Sequence, residues 1–209
     1  MSNYTDFIIQ ETVKLLNIDS PTGYTDDAAE FVLTELRALG YAPTKTRKGG
    51  VLVDLGGADA ENGVMLETHL DTLGGMVAEI KSNGRLRLTN IGGMNANNAR
   101  VVTKFDGKYE GTLQLTDASI HVNGDYSTTA RAWEKMEVVL DENVSSADDV
   151  RALGVSAGDF VCFDPRTRVT EKGYIKSRFL DDKLSVGILL GYAKYLKDEN
   201  VVPARRVWG

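Results

Sequence analysis

Apolar residues recur at helical spacing through the first forty positions. Ile9, Val13 and Leu16 fall at i, i+4 and i+7. A second stripe runs Ala28, Phe31, Val32, Leu36 and Leu39, opened by Asp26 and Asp27 and closed by Gly40. Acidic residues in a first turn and a glycine after the last apolar position are the boundaries a helix needs. Between the two helices, Ser20-Pro21-Thr22-Gly23 has turn chemistry. The periodicity then shortens: Val51 to Leu55 and Val64 to Thr68 read as strands, separated by a loop rich in Gly, Asp and Asn.

From Gly75 the texture is that of many short strands: Met76 to Lys81, Arg85 to Thr89, Val101 to Phe105, Gly111 to Leu115 and Glu137 to Leu140, with turns such as Ser82-Asn83-Gly84 between them. Such spacing suits a small barrel or sandwich. A short helix from Ala147 to Leu153 and a strand at Phe160 to Phe163 close this block. Tyr174-Ile175-Lys176 then leads to Asp181-Asp182 and a helix striped by Val186, Leu189, Leu190 and Ala193, with Lys194, Lys197 and Asp198 outside. The pattern predicts an α/β domain, residues 1–74 plus 166–209, interrupted by an all-β insertion over residues 75–165.

Charge narrows the partners. The 209 residues carry 24 basic and 30 acidic side chains, a net charge of −6, and no basic block exceeds Arg205-Arg206. Phosphate binding needs clustered Lys and Arg, so nucleic acid and anionic membrane surfaces are disfavoured and a peptide or small molecule is favoured. The longest apolar run, Val186 to Gly191, is far short of the roughly 20 residues that span a bilayer. The first residues lack a basic region followed by an apolar core, so a cytoplasmic address is expected. The single cysteine, Cys162, sits in Phe160-Val161-Cys162-Phe163 and reads as a small buried hydrophobe. No glycine-rich nucleotide loop is present.

Two stretches could carry chemistry. Val64 to Asp71 is an apolar strand ending in His69-Leu70-Asp71. Ligands gather beyond the carboxyl ends of strands in α/β sheets. Asp71 could steady the far nitrogen of a metal-bound His69, although the same pattern also suits an imidazole that only satisfies a strand end. The second is Asp181-Asp182-Lys183, ahead of an apolar helix. One Asp could cap the helix, but two adjacent carboxylates repel unless a cation offsets them. A carboxylate there could bridge two metal ions roughly 3.5–4 Å apart.

Taken in order, His69-Leu70-Asp71, Leu73-Gly74-Gly75-Met76-Val77, Gly154-Val155, Gly158-Asp159, Lys176-Ser177 and Leu180-Asp181-Asp182-Lys183 with Gly187 resemble the tetrahedral-type aminopeptidases of metallopeptidase family forty-two, which include glutamyl and deblocking enzymes. The resemblance implies a three-layer α/β peptidase domain with an inserted barrel-like dimerisation domain. It also implies two divalent metals, zinc or cobalt, a peptide substrate with a free amino terminus, and a homo-oligomer, dimeric or dodecameric. It makes His69 a metal ligand, Asp181 the bridging carboxylate and Asp71 the residue that orients the imidazole. Asp182 and Lys183 are expected to be non-ligands.

The family pattern continues into a Glu-Glu pair, a further acidic ligand and a His that this sequence does not contain, so the chain reads as an amino-terminal fragment and is expected to be inactive or nearly so alone. Two other readings compete: an oligomerisation module built on the insertion, and a metal-free glycosidase pairing Glu67 with Asp181 or Asp182. His121 is expected as a strand or interface residue, and Tyr174, Trp133 and Trp208 as packing.

Overall fold

The computed structural model describes residues 2–93, 98–102 and 108–209. Helices α1 (Ser2–Leu16) and α2 (Asp26–Ala38) are followed by short strands β1 (Thr44–Lys45), β2 (Val51–Leu52), β3 (Asp54–Gly56) and β4 (Asp59–Met65). Next come β5 (Gly74–Ile80), β6 (Leu86–Ile91), β7 (Asn98–Val102), β8 (Lys108–Leu115), β9 (Met136–Leu140), helix α3 (Ala147–Ala152) and β10 (Phe160–Phe163). Strands β11 (Arg168–Val169) and β12 (Ile175–Lys176), helix α4 (Leu180–Asp198) and β13 (Arg205–Trp208) complete the order. The chain divides into two compact units, Met1–Thr72 with Pro165–Gly209, and Leu73–Asp164.

In the first unit, β13 lies between its two partners in the sheet order β3-β13-β4. It runs antiparallel to β3 and parallel to β4, pairing Val207 with Val64 and Trp208 with Met65. Leu15, Val32, Leu36, Val53, Val186, Leu190 and Val207 belong to one buried core. Gly40 (φ 81°) ends α2 in the left-handed region, letting Tyr41 donate back to the Leu36 carbonyl at 3.0 Å.

Strand β4 begins earlier than the apolar pattern predicts and stops at Met65, before Thr68. Its start uses residues expected in a turn because β13 offers backbone partners there; Arg205 pairs with Asp59. After the Leu66 amide, which donates to the Trp208 carbonyl at 2.8 Å, the chain leaves the sheet. His69 therefore sits in a loop past the strand.

The buried face of α1 also differs from the expected stripe. Glu11, Thr12, Leu15 and Leu16 are buried, whereas Ile9 and Val13 are half-buried. The reason lies in α4, where Gly187 and Gly191 leave room for α1: a Cβ at Gly187 would overlap Thr12 Oγ1, and one at Gly191 would lie 2.7 Å from Ile8 Cδ1. Absent side chains on one helix thus admit polar Thr12 on the other.

At the far end of this packing the Tyr4 hydroxyl donates to Glu199 Oε1 at 2.7 Å, and its ring meets that of Tyr195 edge-on, centroids 5.6 Å apart. The Glu199 hydrogen bond, then burial, then the charges of Glu199 and Asp198 push the Tyr4 phenol from 10.0 to about 12. A pKa raised by folding adds stability that is complete below pH 10.0 and lost as pH climbs toward about 12. An ultraviolet titration should therefore include a tyrosine ionising at about 12, and Tyr4→Phe should reduce the high-pH amplitude by one tyrosine; an unchanged amplitude there would exclude Tyr4 as a source.

The second unit is a closed barrel in the order β10-β5-β6-β9-β8-β7. Its interior includes Val77, Leu86, Leu88, Leu113, Leu115, Val138 and Val161. Glu137 is fully buried yet paired on both oxygens, to Lys81 Nζ at 2.8 Å and to Arg85 Nη1, which is how a barrel wall tolerates a carboxylate. Helix α3 opens with a capping box between Ser146 and Asp149. Cys162 is buried. The expected strand to Phe105 is β7, which ends at Val102; residues 103–105 lie outside the described residues.

His121 stands on an exposed turn and not in a strand, because Asn123 and its neighbours bond locally: the Asn123 and Val122 amides both donate to the Ser119 carbonyl. Tyr174, expected as packing, is 71% exposed. It occupies the two-stranded ribbon of β11 and β12, whose tip closes on Thr170 through local backbone bonds.

Candidate metal centre

The loop leaving β4 and the first turn of α4 meet at one point. His69 Nε2 lies 3.0 Å from Asp181 Oδ1. On the other side of the ring, Nδ1 is 3.2 Å from both the backbone carbonyl and the Oδ1 of Asp71. Partial burial works against the protonated imidazole, but the hydrogen bond to Asp181, together with the charges of Asp71 and Asp182, outweighs it and raises the His69 pKa above 6.5.

Asp181 reaches His69 because it does not cap the helix. Phe179 precedes α4 in the left-handed region (φ 64°), and Asp181 and Asp182 have non-helical dihedrals, with ψ of 104° and 21°. The Asp181 side chain is 95% exposed instead of being folded over the first amides. Lys183, one residue further, points the opposite way: it is buried, and its Nζ donates to the carbonyls of Leu15 at 3.0 Å and Ile18 at 2.7 Å. Leu15 is in the last turn of α1 and Ile18 lies just past it, where the negative end of the helix dipole favours a cation.

The turn at Ser20–Thr22 has a role that turn chemistry alone did not disclose. Ser20 Oγ donates to the Leu70 carbonyl at 2.8 Å, the Thr72 amide donates to the Ser20 carbonyl at 2.8 Å, and the Thr22 amide donates to the Thr72 carbonyl at 3.2 Å. The Thr22 hydroxyl donates to Asp71 Oδ2 at 2.6 Å. No spacing rule connects these residues, which are 49 positions apart. An open groove of about 880 Å³ borders the loop, lined by Thr22, Leu66, Glu67, His69, Asp71 and Val186 among others.

An imidazole nitrogen and a carboxylate oxygen form the donor chemistry of a borderline ion such as zinc or cobalt. With Asp71 on Nδ1, the imidazole has the outer partner that metal-bound histidines usually have. Among the described residues, however, no group of three or more His, Cys, Asp or Glu side chains comes together to hold an ion. The described residues thus fit a metal site in part: His69 and Asp181 as donors, Asp71 behind the ring. Glu67 is exposed, and Asp181 meets the imidazole of His69.

The fold and this residue pair define a mixed α/β chain with a barrel unit and a His-carboxylate contact beyond the sheet. The model of the M42 glutamyl aminopeptidase family matches residues 49–207, and the chain belongs to that family. It is 39% identical over 193 residues to YhfE of Bacillus subtilis (strain 168), an aminopeptidase by name, covering 90% of this chain and 56% of YhfE. The fold is similar to that of a TET aminopeptidase from a marine sediment thaumarchaeote (TM-score 0.84, 18% identity, 98% of this chain and 58% of that one). It is also similar to the TET1 peptidase of Pyrococcus horikoshii (TM-score 0.80, 22% identity, 96% and 59%), which assembles into a tetrahedron or a large octahedral shell. The chain spans little more than half the length of these relatives.

Proposed function

We propose that this chain carries part of the catalytic centre of a metal-dependent aminopeptidase that removes residues from the free amino terminus of peptides. The contact of His69 Nε2 with Asp181 Oδ1 at 3.0 Å is the observation that carries this reading, and membership of an aminopeptidase family supports it. His69 and Asp181 would hold two divalent ions, zinc or cobalt, with Asp181 bridging them and Asp71 orienting the imidazole. When bound, the ions would polarise the scissile carbonyl and acidify a water. The chain's own part is to present Nε2 with its lone pair free, which requires the single ring proton to stay on Nδ1, facing Asp71. The groove beside His69 and Asp71 would receive the peptide's amino-terminal end. A proton-accepting Glu and the remaining donors would come from outside the described residues, so this polypeptide alone is expected to be inactive or nearly so.

The same reading assigns residues 1–74 and 166–209 to a three-layer peptidase domain, and residues 75–165 to an inserted dimerisation domain. The Ser119 to Asn123 turn, with Ile120 60% and Val122 86% exposed, supports an interface role for the barrel unit. Shell-forming relatives such as the Pyrococcus horikoshii peptidase support a homo-oligomer. Among the described residues no helix is long and apolar enough to cross a membrane.

The test is the number of ions retained per chain after equilibration with zinc or cobalt and removal of free metal. Retention in the parent and its loss in Asp181→Ala is the expected result. Equal retention by both proteins would overturn the assignment of Asp181. A chain that retains no metal and also fails to do so when oligomeric would overturn the metal reading as a whole.

A further inference from the structure

The ribbon of β11 and β12 has no part in the proposed chemistry, and its side chains are sorted by charge. The two strands pair only with each other. In their register Arg168 stands directly opposite Lys176, and Val169 opposite Ile175. Side chains alternate between the faces of a strand, so the two cations share one face. Val169 and Ile175 share the other with the hydroxyls of Thr167 and Ser177, which are hydrogen-bonded at 2.7 Å. Tyr174, at the closing turn two positions before Lys176, falls on the cationic side. The alternation conceals the cluster in the sequence, because no two basic residues of this segment are adjacent.

Like charges directly opposite each other in an antiparallel pair repel, and a lone two-stranded ribbon is marginal in water. Arg168 and Lys176 are both exposed, and among the described residues neither forms an ion pair. An acidic surface laid over this face would relieve the repulsion and cover the Tyr174 ring.

The charge balance identifies the chain that offers such a surface. Residues 166–178 hold five basic side chains and one acidic, a net +4; the rest of the chain holds 19 basic and 29 acidic, a net −10. That remainder repels a phosphate polymer, whereas a second copy of the chain presents it to the ribbon. Several of its carboxylates are engaged locally: Asp26 with Lys45, Asp148 with Arg151, Asp149 in the α3 capping box and Asp198 with Lys194. Asp141 and Glu142, just past β9, are adjacent and exposed, and among the described residues neither forms an ion pair. The Asp141 amide donates to the carbonyl of Glu110 at 2.9 Å, which places a third exposed acidic residue beside them.

We propose that the β11–β12 ribbon is an arm between subunits, on which Arg168 and Lys176 of one copy meet Asp141 and Glu142 of a second. Such a contact joins two different surfaces, so it propagates from copy to copy and closes only through the symmetry of a larger assembly. It belongs to the homo-oligomer of the proposed function and rests on that reading, but not on the metal.

Sedimentation velocity and light scattering of the full chain test it. The parent is expected to self-associate, and to do so more weakly in about 0.5 M salt, where the Debye length is roughly 4 Å. Arg168→Glu with Lys176→Glu is expected to weaken association at least about tenfold, because like charges then face each other. Asp141→Lys with Glu142→Lys should do the same, and all four substitutions together should restore association. Arg168→Gln with Lys176→Gln removes the repulsion within the ribbon and is expected to weaken association without lowering the melting temperature of the monomer; a merely structural role would leave association unchanged. A parent that associates but is indifferent to the ribbon substitutions, or a loss that the fourfold variant does not repair, would overturn the contact and leave the oligomer standing. A monomeric parent would overturn both. Ribbon-dependent binding of a single-stranded oligonucleotide, with association unaffected, would overturn the second copy as occupant in favour of a polyanion.

Discussion

Gly191→Leu is expected to destabilise the chain by at least about 3 kcal/mol, enough to remove much of the roughly 5–15 kcal/mol by which an ordinary domain is stable. The glycine faces Ile8, and even a single Cβ there would lie 2.7 Å from Ile8 Cδ1 and closer still to Cγ1. A leucine must push α1 away from α4, undoing the contact that buries Leu15, Leu190 and Ala193. Helix propensity works in the opposite direction, since leaving glycine in a helix interior costs about 1 kcal/mol relative to alanine. At this helix spacing the steric overlap outweighs that gain.

Gly187 tests the same packing more finely. Its Cβ would overlap Thr12 Oγ1 but lie 3.2 Å from Thr12 Cβ. Gly187→Ala should thus be destabilising alone and substantially rescued by Thr12→Ala, giving a coupling of about 0.5–3 kcal/mol in a double-mutant cycle. Denaturant midpoints measure both effects. A Gly191→Leu protein with the parent's midpoint would show that α1 does not pack on this face of α4.

Loss of His69 should have the largest effect on metal. Of the two donors proposed for the centre it is the nitrogen one, and replacing it would leave nothing to compete with water for that position. His69→Ala is expected to abolish tight retention of zinc or cobalt, while Asp71→Asn is expected to weaken it by about 10–100-fold, the range for a residue that orients a ligand. Isothermal titration of the metal-free protein separates the two. Equal effects from both substitutions would make Asp71 a ligand, and no effect from His69→Ala would remove the imidazole from the site. Affinity should also fall with decreasing pH, because the ion must displace a proton from an imidazole whose neighbours favour the protonated form.

The stripe Val186, Leu189, Leu190 and Ala193 is buried in α4, since a long amphipathic helix needs only its own periodicity to choose a face. On α1 the same rule pointed to Ile9 and Val13, but the buried face turned to Thr12 and Glu11. The deciding information lay in two glycines more than 170 positions away, which no local period contains. For β4, backbone pairing with β13 drew Asp59 to Gly63 into a strand against their turn chemistry, because edge pairing satisfies amides that the local sequence leaves open.

The candidate centre divides in the same way. His69, Asp71 and Asp181 stand out in the sequence as residue types placed next to element boundaries. Their relation does not: Asp181 could have capped α4, and only the non-helical dihedrals at Asp181 and Asp182 turn it toward His69. Thr22 and Lys183 carry no signal of their own, because a threonine in a turn and a lysine in a helix are ordinary. Short stretches of chain set the order of helices and strands, the net acidic charge and the residue types proposed to bind a cation. Which of those residues touch, and what holds them there, was decided by the tertiary structure, because hydrogen bonds such as Thr22 to Asp71 and Lys183 to Ile18 form between segments that only folding brings together.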